Sequence, residues 1–241
     1  MKYDIISGWY CDTEPKSYRV FGDDYVRSVG CFYLWEWCVR TFTSPDQIYI
    51  LESGSPLLPS LPQGTNINWV KLSQNFGHAV GCQHHHSGWS RALLSGLMYA
   101  YCNGSDHAVL VEQGSLFYGQ NIIEQQIARY PDAGIIAPSG KGTPQPLQTG
   151  ILIFRTAIVP DFIQRYTSLA EPDATLSPEK KVARVGAELG LTISDLRFGR
   201  SRPLDFSHEH FFLRHATREQ LEAFVSHLGL AEVPEAPLLQ R

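Results

Sequence analysis

The sequence predicts an α/β fold, a mostly parallel mixed sheet flanked by helices, with a small α+β segment toward the C-terminus. Two observations point there. Short apolar runs closed by Gly, Ser, Pro or Asn alternate with segments whose apolar residues recur at helical spacing, and strands alternating with helices imply a largely parallel sheet. At 241 residues, 43% hydrophobic and 18% charged, the chain can bury a full core and fits one domain of the upper size range.

Taken in order, Tyr3 to Ser7 reads as a first strand, ending at Gly8-Trp9-Tyr10. Asp23 or Asp24 reads as the cap of a helix to about Thr41, because Val26, Val29, Phe32, Tyr33 and Trp37 recur at helical spacing. Ile48 to Leu51 is a buried-strand run, 56 to 62 a Pro-rich connection, and Asn68 to Leu72 a third strand. Trp89 to about Cys102 is the next helix, Ala108 to Glu112 the next strand, Asn121 to Tyr130 a helix and Ala133 to Ala137 a short strand. The Gly/Pro-rich loop Ser139 to Pro146 leads through Gln148-Thr149-Gly150 into the strongest strand, Ile151 to Arg155. Pro160 to Leu169 and Pro178 to Leu189 read as helices on either side of a Glu-Pro-Asp turn. The last helix, Thr217 to Leu228, carries a capping-box pair in Thr217 and Gln220, and the tail 231–241 is expected to be flexible.

Ser87 to Gly119 is the most informative stretch. A small-residue loop feeds a helix, and the following strand delivers Glu112-Gln113-Gly114 to the carboxyl edge of the sheet, where open α/β proteins bind ligands. The earlier strand ends at Glu52-Ser53-Gly54-Ser55, so two acidic strand ends face one crevice. Between them, Ser87-Gly88-Trp89-Ser90-Arg91 opens the helix, and backbone N–H groups, the positive helix end and a guanidinium together suit a diphosphate.

These three motifs, in this order, resemble the GT-A glycosyltransferases, whose fold is Rossmann-like. The family shows an Asp-Asp-Gly-Ser-like strand end, a small-residue loop with Arg opening a helix, and an Asp-x-Asp after the next strand. The resemblance is nearest to the small GT-A domain of chlorella-virus glycosyltransferases and bacterial polysaccharide enzymes, which adds a later Phe-Gly-x-x-Arg-Pro segment. Here Phe198-Gly199-Arg200-Ser201-Arg202-Pro203 matches it, and the likeness spans roughly residues 3 to 225.

The resemblance implies one domain over 1–230, with a nucleotide-binding part to about 120 and an acceptor part beyond. It implies transfer of a sugar from a nucleotide-diphosphate donor, UDP-linked by preference, to a glycan acceptor in polysaccharide assembly. Glu52 would contact base or ribose, Ser87 and Arg91 the diphosphate, and Glu112 the ribose or a metal, while Arg200 and Arg202 would close over the phosphates. Asp205 is the candidate base for the acceptor hydroxyl, with a turn-capping role as the alternative and Glu209 in reserve. The family's cofactor is a divalent Mn²⁺ or Mg²⁺ held by the last Asp of Asp-x-Asp. Gly114 stands at that position without a ligand atom, leaving Glu112 as a lone metal candidate. The alternatives are a metal-free site neutralised by Arg91, Arg200 or Arg202, or a chain that has lost activity.

A net charge of −4 without a basic block argues against nucleic acid as a partner. No apolar run reaches the roughly 18 to 20 residues of a membrane span, and the first residues lack a leader pattern, so a cytoplasmic location is expected. Five cysteines without C-x-x-C spacing indicate neither a disulfide framework nor a zinc site. Two competing functions remain. A sugar-nucleotide or glycan-binding domain without catalysis is favoured by Gly114; a nucleotidyltransferase is disfavoured because Gly8-Trp9-Tyr10-Cys11 lacks a Gly-rich basic loop.

Overall fold

The computed structural model describes residues 1–11, 22–61, 65–199 and 204–234. The strands are β1 (Tyr3–Trp9), β2 (Ile48–Glu52), β3 (Ile67–Lys71), β4 (His107–Val111), β5 (Leu116–Tyr118), β6 (Ile135–Pro138), β7 (Ile151–Arg155), β8 (Leu191–Ser194), β9 (Arg197–Gly199) and β10 (Phe211–Leu213). The helices are α1 (Val29–Phe42), α2 (Gly88–Cys102), α3 (Ile122–Arg129), α4 (Val159–Thr167), α5 (Pro178–Glu188) and α6 (Arg218–His227). None of them is long and apolar enough to cross a membrane.

Seven strands form one mixed sheet in the order β3-β2-β1-β4-β7-β6-β8. All neighbours are parallel except β7, which runs antiparallel to both β4 and β6. The reason is local: β6 returns into β7 through a loop without a helix, and only antiparallel partners can be joined that way. Period-two alternation then sorts the side chains into two cores. Ile5, Ile48, Val109, Val111, Ile151 and Ile153 face α1, α3 and α6. Ile6, Leu51, Ala108, Leu110, Leu152 and Phe154 face α2, α4 and α5.

A second sheet, ordered β5-β10-β9, joins the first core. Sequence periodicity finds six strands of the large sheet and its helices, missing β8 and the small sheet, because strands of three or four residues are too short to show a period. The two halves of the small sheet also lie about ninety residues apart in the chain, Leu116 pairing with Leu213.

Two boundaries differ from expectation. The helix anticipated from Asp23 or Asp24 starts at Val29, because Asp23 caps a 3₁₀ turn (Asp24–Arg27) and Ser28 accepts from Cys31 N as the true α1 cap. Residues 231–234, expected to belong to a flexible tail, pack on the core: Val233 is buried and the Pro234 carbonyl accepts from Tyr25 Oη at 2.6 Å.

Candidate functional site

Strand order reverses between β1, which continues to β2 and β3, and β4 on its other side. Such a switch point opens the sheet at its carboxyl edge. The Gln113 side chain stitches this edge, Oε1 accepting from Tyr10 N and Nε2 donating to Tyr10 O, each at 2.9 Å. On the β2 side, buried Glu52 accepts from Ser55 N, and Ser55 Oγ accepts from Cys11 N at 2.9 Å. Burial, with Glu52 nearby, pushes the Cys11 thiol up to about 11, so it stays protonated.

Glu112 lies at the centre. Its carboxylate is 8% exposed, and Oε1 accepts from Trp89 Nε1 and Thr149 Oγ1, both at 2.6 Å. Arg214 Nη2 donates to Oε1 at 3.1 Å and lies 2.8 Å from Oε2 as an ion pair. Arg214 arrives on the small sheet: β5 follows directly from the Glu112 turn, and β10 pairs with it so that Leu213 ends beside Leu116. Sequence reading missed Arg214. The available signal is the run Phe211-Phe212-Leu213 closing on a charge, the same form as Val109-Leu110-Val111 closing on Glu112.

A divalent cation does not fit these donors. Both Glu112 oxygens face the guanidinium, Gly114 offers no ligand atom, and the described residues contain no group of three His, Cys, Asp or Glu able to hold a metal. Gly114 is itself explained by the fold. Its φ is +75°, and a Cβ there would lie 3.0 Å from Val26 Cβ. Gly114→Asp is therefore expected to lower stability by about 1 to 3 kcal/mol, from left-handed strain and this contact, without creating a metal site. Chemical denaturation with and without Mn²⁺ checks it; stabilisation of the variant by Mn²⁺ would refute the reading.

The start of α2 is occupied too. Ser87 N and Ser87 Oγ both donate to Asp173 Oδ2 at 2.7 Å, and Gly88 N donates to Gly77 O. Asp173 thus supplies the carboxylate that favours a helix N-terminus, at the place where the sequence suggests a diphosphate. Arg91 donates from Nε to His86 O at 3.1 Å, with its guanidinium 3.7 Å above the Phe76 ring. It leaves α2 about 200° around the axis from Trp89, so it holds the 76–86 loop while Trp89 reaches Glu112.

Asp205 is exposed and caps a turn, Oδ1 accepting from Ser207 N at 3.0 Å and Ser207 Oγ at 2.6 Å, with His208 Nε2 3.3 Å from Oδ2. Those Ser207 donors lower its pKa. Glu209 precedes β10 by two residues, and its backbone carbonyl packs against Gly119. Arg200 and Arg202 lie outside the described residues. His78 completes the edge: its pKa is lowered by partial desolvation and by Arg27, with a further contribution from Arg214, while Glu112 opposes the shift.

No family model matches the sequence, and no curated protein matches it. Among solved structures, the chain is similar to 4-diphosphocytidyl-2C-methyl-D-erythritol synthase from Anaerococcus prevotii (11% identity, TM-score 0.49, 80% of this chain and 86% of the other). It is also similar to a protein from Desulfovibrio desulfuricans G20 assigned as a nucleotide-diphospho-sugar transferase (13%, 0.46, 80% and 80%). A third likeness is to the bifunctional IspDF from Campylobacter jejuni (11%, 0.45, 81% and 50%). None is a chlorella-virus protein, and likeness at this level assigns neither a residue nor a reaction to this chain.

Proposed function

We propose that this chain transfers a glycosyl group from a nucleotide-diphosphate sugar, UDP-linked by preference, to a glycan hydroxyl. The observation that carries the reading is Arg214 seated on Glu112 at the switch point, a fixed cation at the sheet edge where α/β folds place such ligands. Glu52, at the end of β2, is the group we propose for the base or ribose.

In the transfer, the acceptor oxygen bonds to the sugar's anomeric carbon as the bond from that carbon to the diphosphate oxygen breaks. The electron pair leaves with the nucleoside diphosphate, whose growing charge meets Arg214. Asp205 is the base we propose for the acceptor proton; its lowered pKa keeps it ionised near neutrality. Asp205→Asn is then expected to lower kcat by about 100-fold with an unchanged unfolding midpoint. A loss below about threefold would leave Asp205 a turn cap only.

The deciding assay offers nucleotide sugars with glycan acceptors and, separately, nucleoside triphosphates with sugar phosphates. Release of nucleoside diphosphate that depends on acceptor is the expected result. Pyrophosphate release from a triphosphate would establish nucleotidyl transfer instead, and binding without either product would establish a sugar-nucleotide binder.

A further inference from the structure

We propose that Arg214, with Ser115 beside it, is an oxyanion site that takes a diphosphate without a divalent cation; only the identity of that diphosphate as a sugar donor rests on the transfer reading above. Arg214 is 6% exposed, yet among the described residues only Nη2 of its donor groups has a partner, Glu112. Nε and Nη1 are buried without a partner among the described residues, and so is Ser115 Oγ.

These groups pack closely around one glycine: a Cβ built on Gly150 would lie 2.8 Å from Phe212 Cε2 and from Ser115 Oγ, and 3.2 Å from Arg214 Cδ. Buried donors left without acceptors cost free energy, and native proteins keep few of them. An acceptor that reaches Arg214 Nε, Arg214 Nη1 and Ser115 Oγ removes that cost.

The free donors favour an oxygen-rich ligand. Glu112 accepts from Trp89 and Thr149 as well as from Arg214, and it engages Arg214 through Nη2 alone. Nε and Nη1 of the planar guanidinium can each donate one bond to a phosphate oxygen, and the adjacent hydroxyl can donate a third. Because the three groups are shielded from solvent, neighbouring side chains must shift before an anion reaches them.

Titration calorimetry with inorganic pyrophosphate and with UDP, in EDTA and again in Mn²⁺, tests the site. Both probes are expected to bind in EDTA, with Mn²⁺ changing affinity by less than about threefold. Arg214→Lys keeps the charge but loses the fork and should weaken binding about tenfold or more. The double variant Glu112→Gln/Arg214→Gln removes both charges together and strands neither, so it keeps the test decisive if the single variant fails to fold. It should abolish binding in a folded protein. Binding that requires Mn²⁺, or that either variant leaves unchanged, would overturn the site. Pyrophosphate binding through Arg214 without turnover of any nucleotide sugar would retain the site and remove the transfer reading. Turnover that needs Mn²⁺ and ignores Arg214→Lys would do the reverse.

Discussion

Lys181→Met is expected to destabilise the fold by about 3 to 5 kcal/mol at neutral pH, since removing one partner of a buried ion pair strands the other charge. Lys181 Nζ and Asp173 Oδ1 are 2.8 Å apart with both side chains fully buried. Asp173 also receives both Ser87 donors, and its own N–H donates to His85 O, so it ties α5 to the start of α2 and to the loop before it. Loss of the pair would therefore loosen the helix whose Trp89 holds Glu112.

The pH dependence of that loss identifies its cause. Burial alone would raise the Asp173 pKa, but Lys181, Ser90 and Ser87 outweigh it and leave the carboxyl lowered. In the native protein this contribution is present above the ordinary carboxylate pKa, about 3.9, and disappears as pH falls through the lower folded value. In Lys181→Met the burial effect dominates, the folded pKa rises, and protonation relieves the stranded charge. The stability gap between the two proteins should accordingly narrow as pH drops from 7 toward 4.5, read by urea midpoints. A gap independent of pH would assign the loss to packing rather than charge.

The sequence makes legible those parts of the fold that repeat a period. Ile48 to Leu51, Ala108 to Glu112 and Ile151 to Arg155 read as strands because apolar runs of that length bury on both faces, and the structure keeps them within a residue or two. Glu52 and Glu112 are legible as strand ends. What a side chain does after the strand ends is not local information. Ser87 and Arg91 sit in the motif that suggests phosphate, but their partners Asp173 and Phe76 come from other segments. Arg214 is hidden for the same reason: its meaning depends on β10 pairing with β5, a contact between Leu213 and Leu116 that no pattern in either segment announces. Gly114 reads in sequence as a lost ligand; in the fold it is a left-handed residue under Val26, with the cationic role taken by a side chain a hundred residues later.

Gly150→Ala is expected to remove anion binding and lower stability by about 3 kcal/mol, at the upper end for overpacking a core. The added methyl would lie 2.8 Å from Phe212 Cε2 and from Ser115 Oγ. Phe212 and Ser115 are both fully buried, so the strain is shared among them and Arg214 Cδ. Moving Arg214 off Glu112 exposes two opposite buried charges to each other's loss, which adds to the steric cost. Thr149→Val separates these effects. It deletes the Thr149 hydrogen bond to Glu112 without adding volume beside Gly150, so it should cost about 1.5 to 3 kcal/mol, the range for a hydrogen bond to a charged group. With Arg214 still seated, that variant should bind pyrophosphate within about threefold of the native protein. Equal loss of pyrophosphate binding in both variants would mean that Glu112, not the space beside Gly150, governs the anion. Native-like binding in Gly150→Ala would mean that the unpartnered nitrogens of Arg214 face no ligand at all.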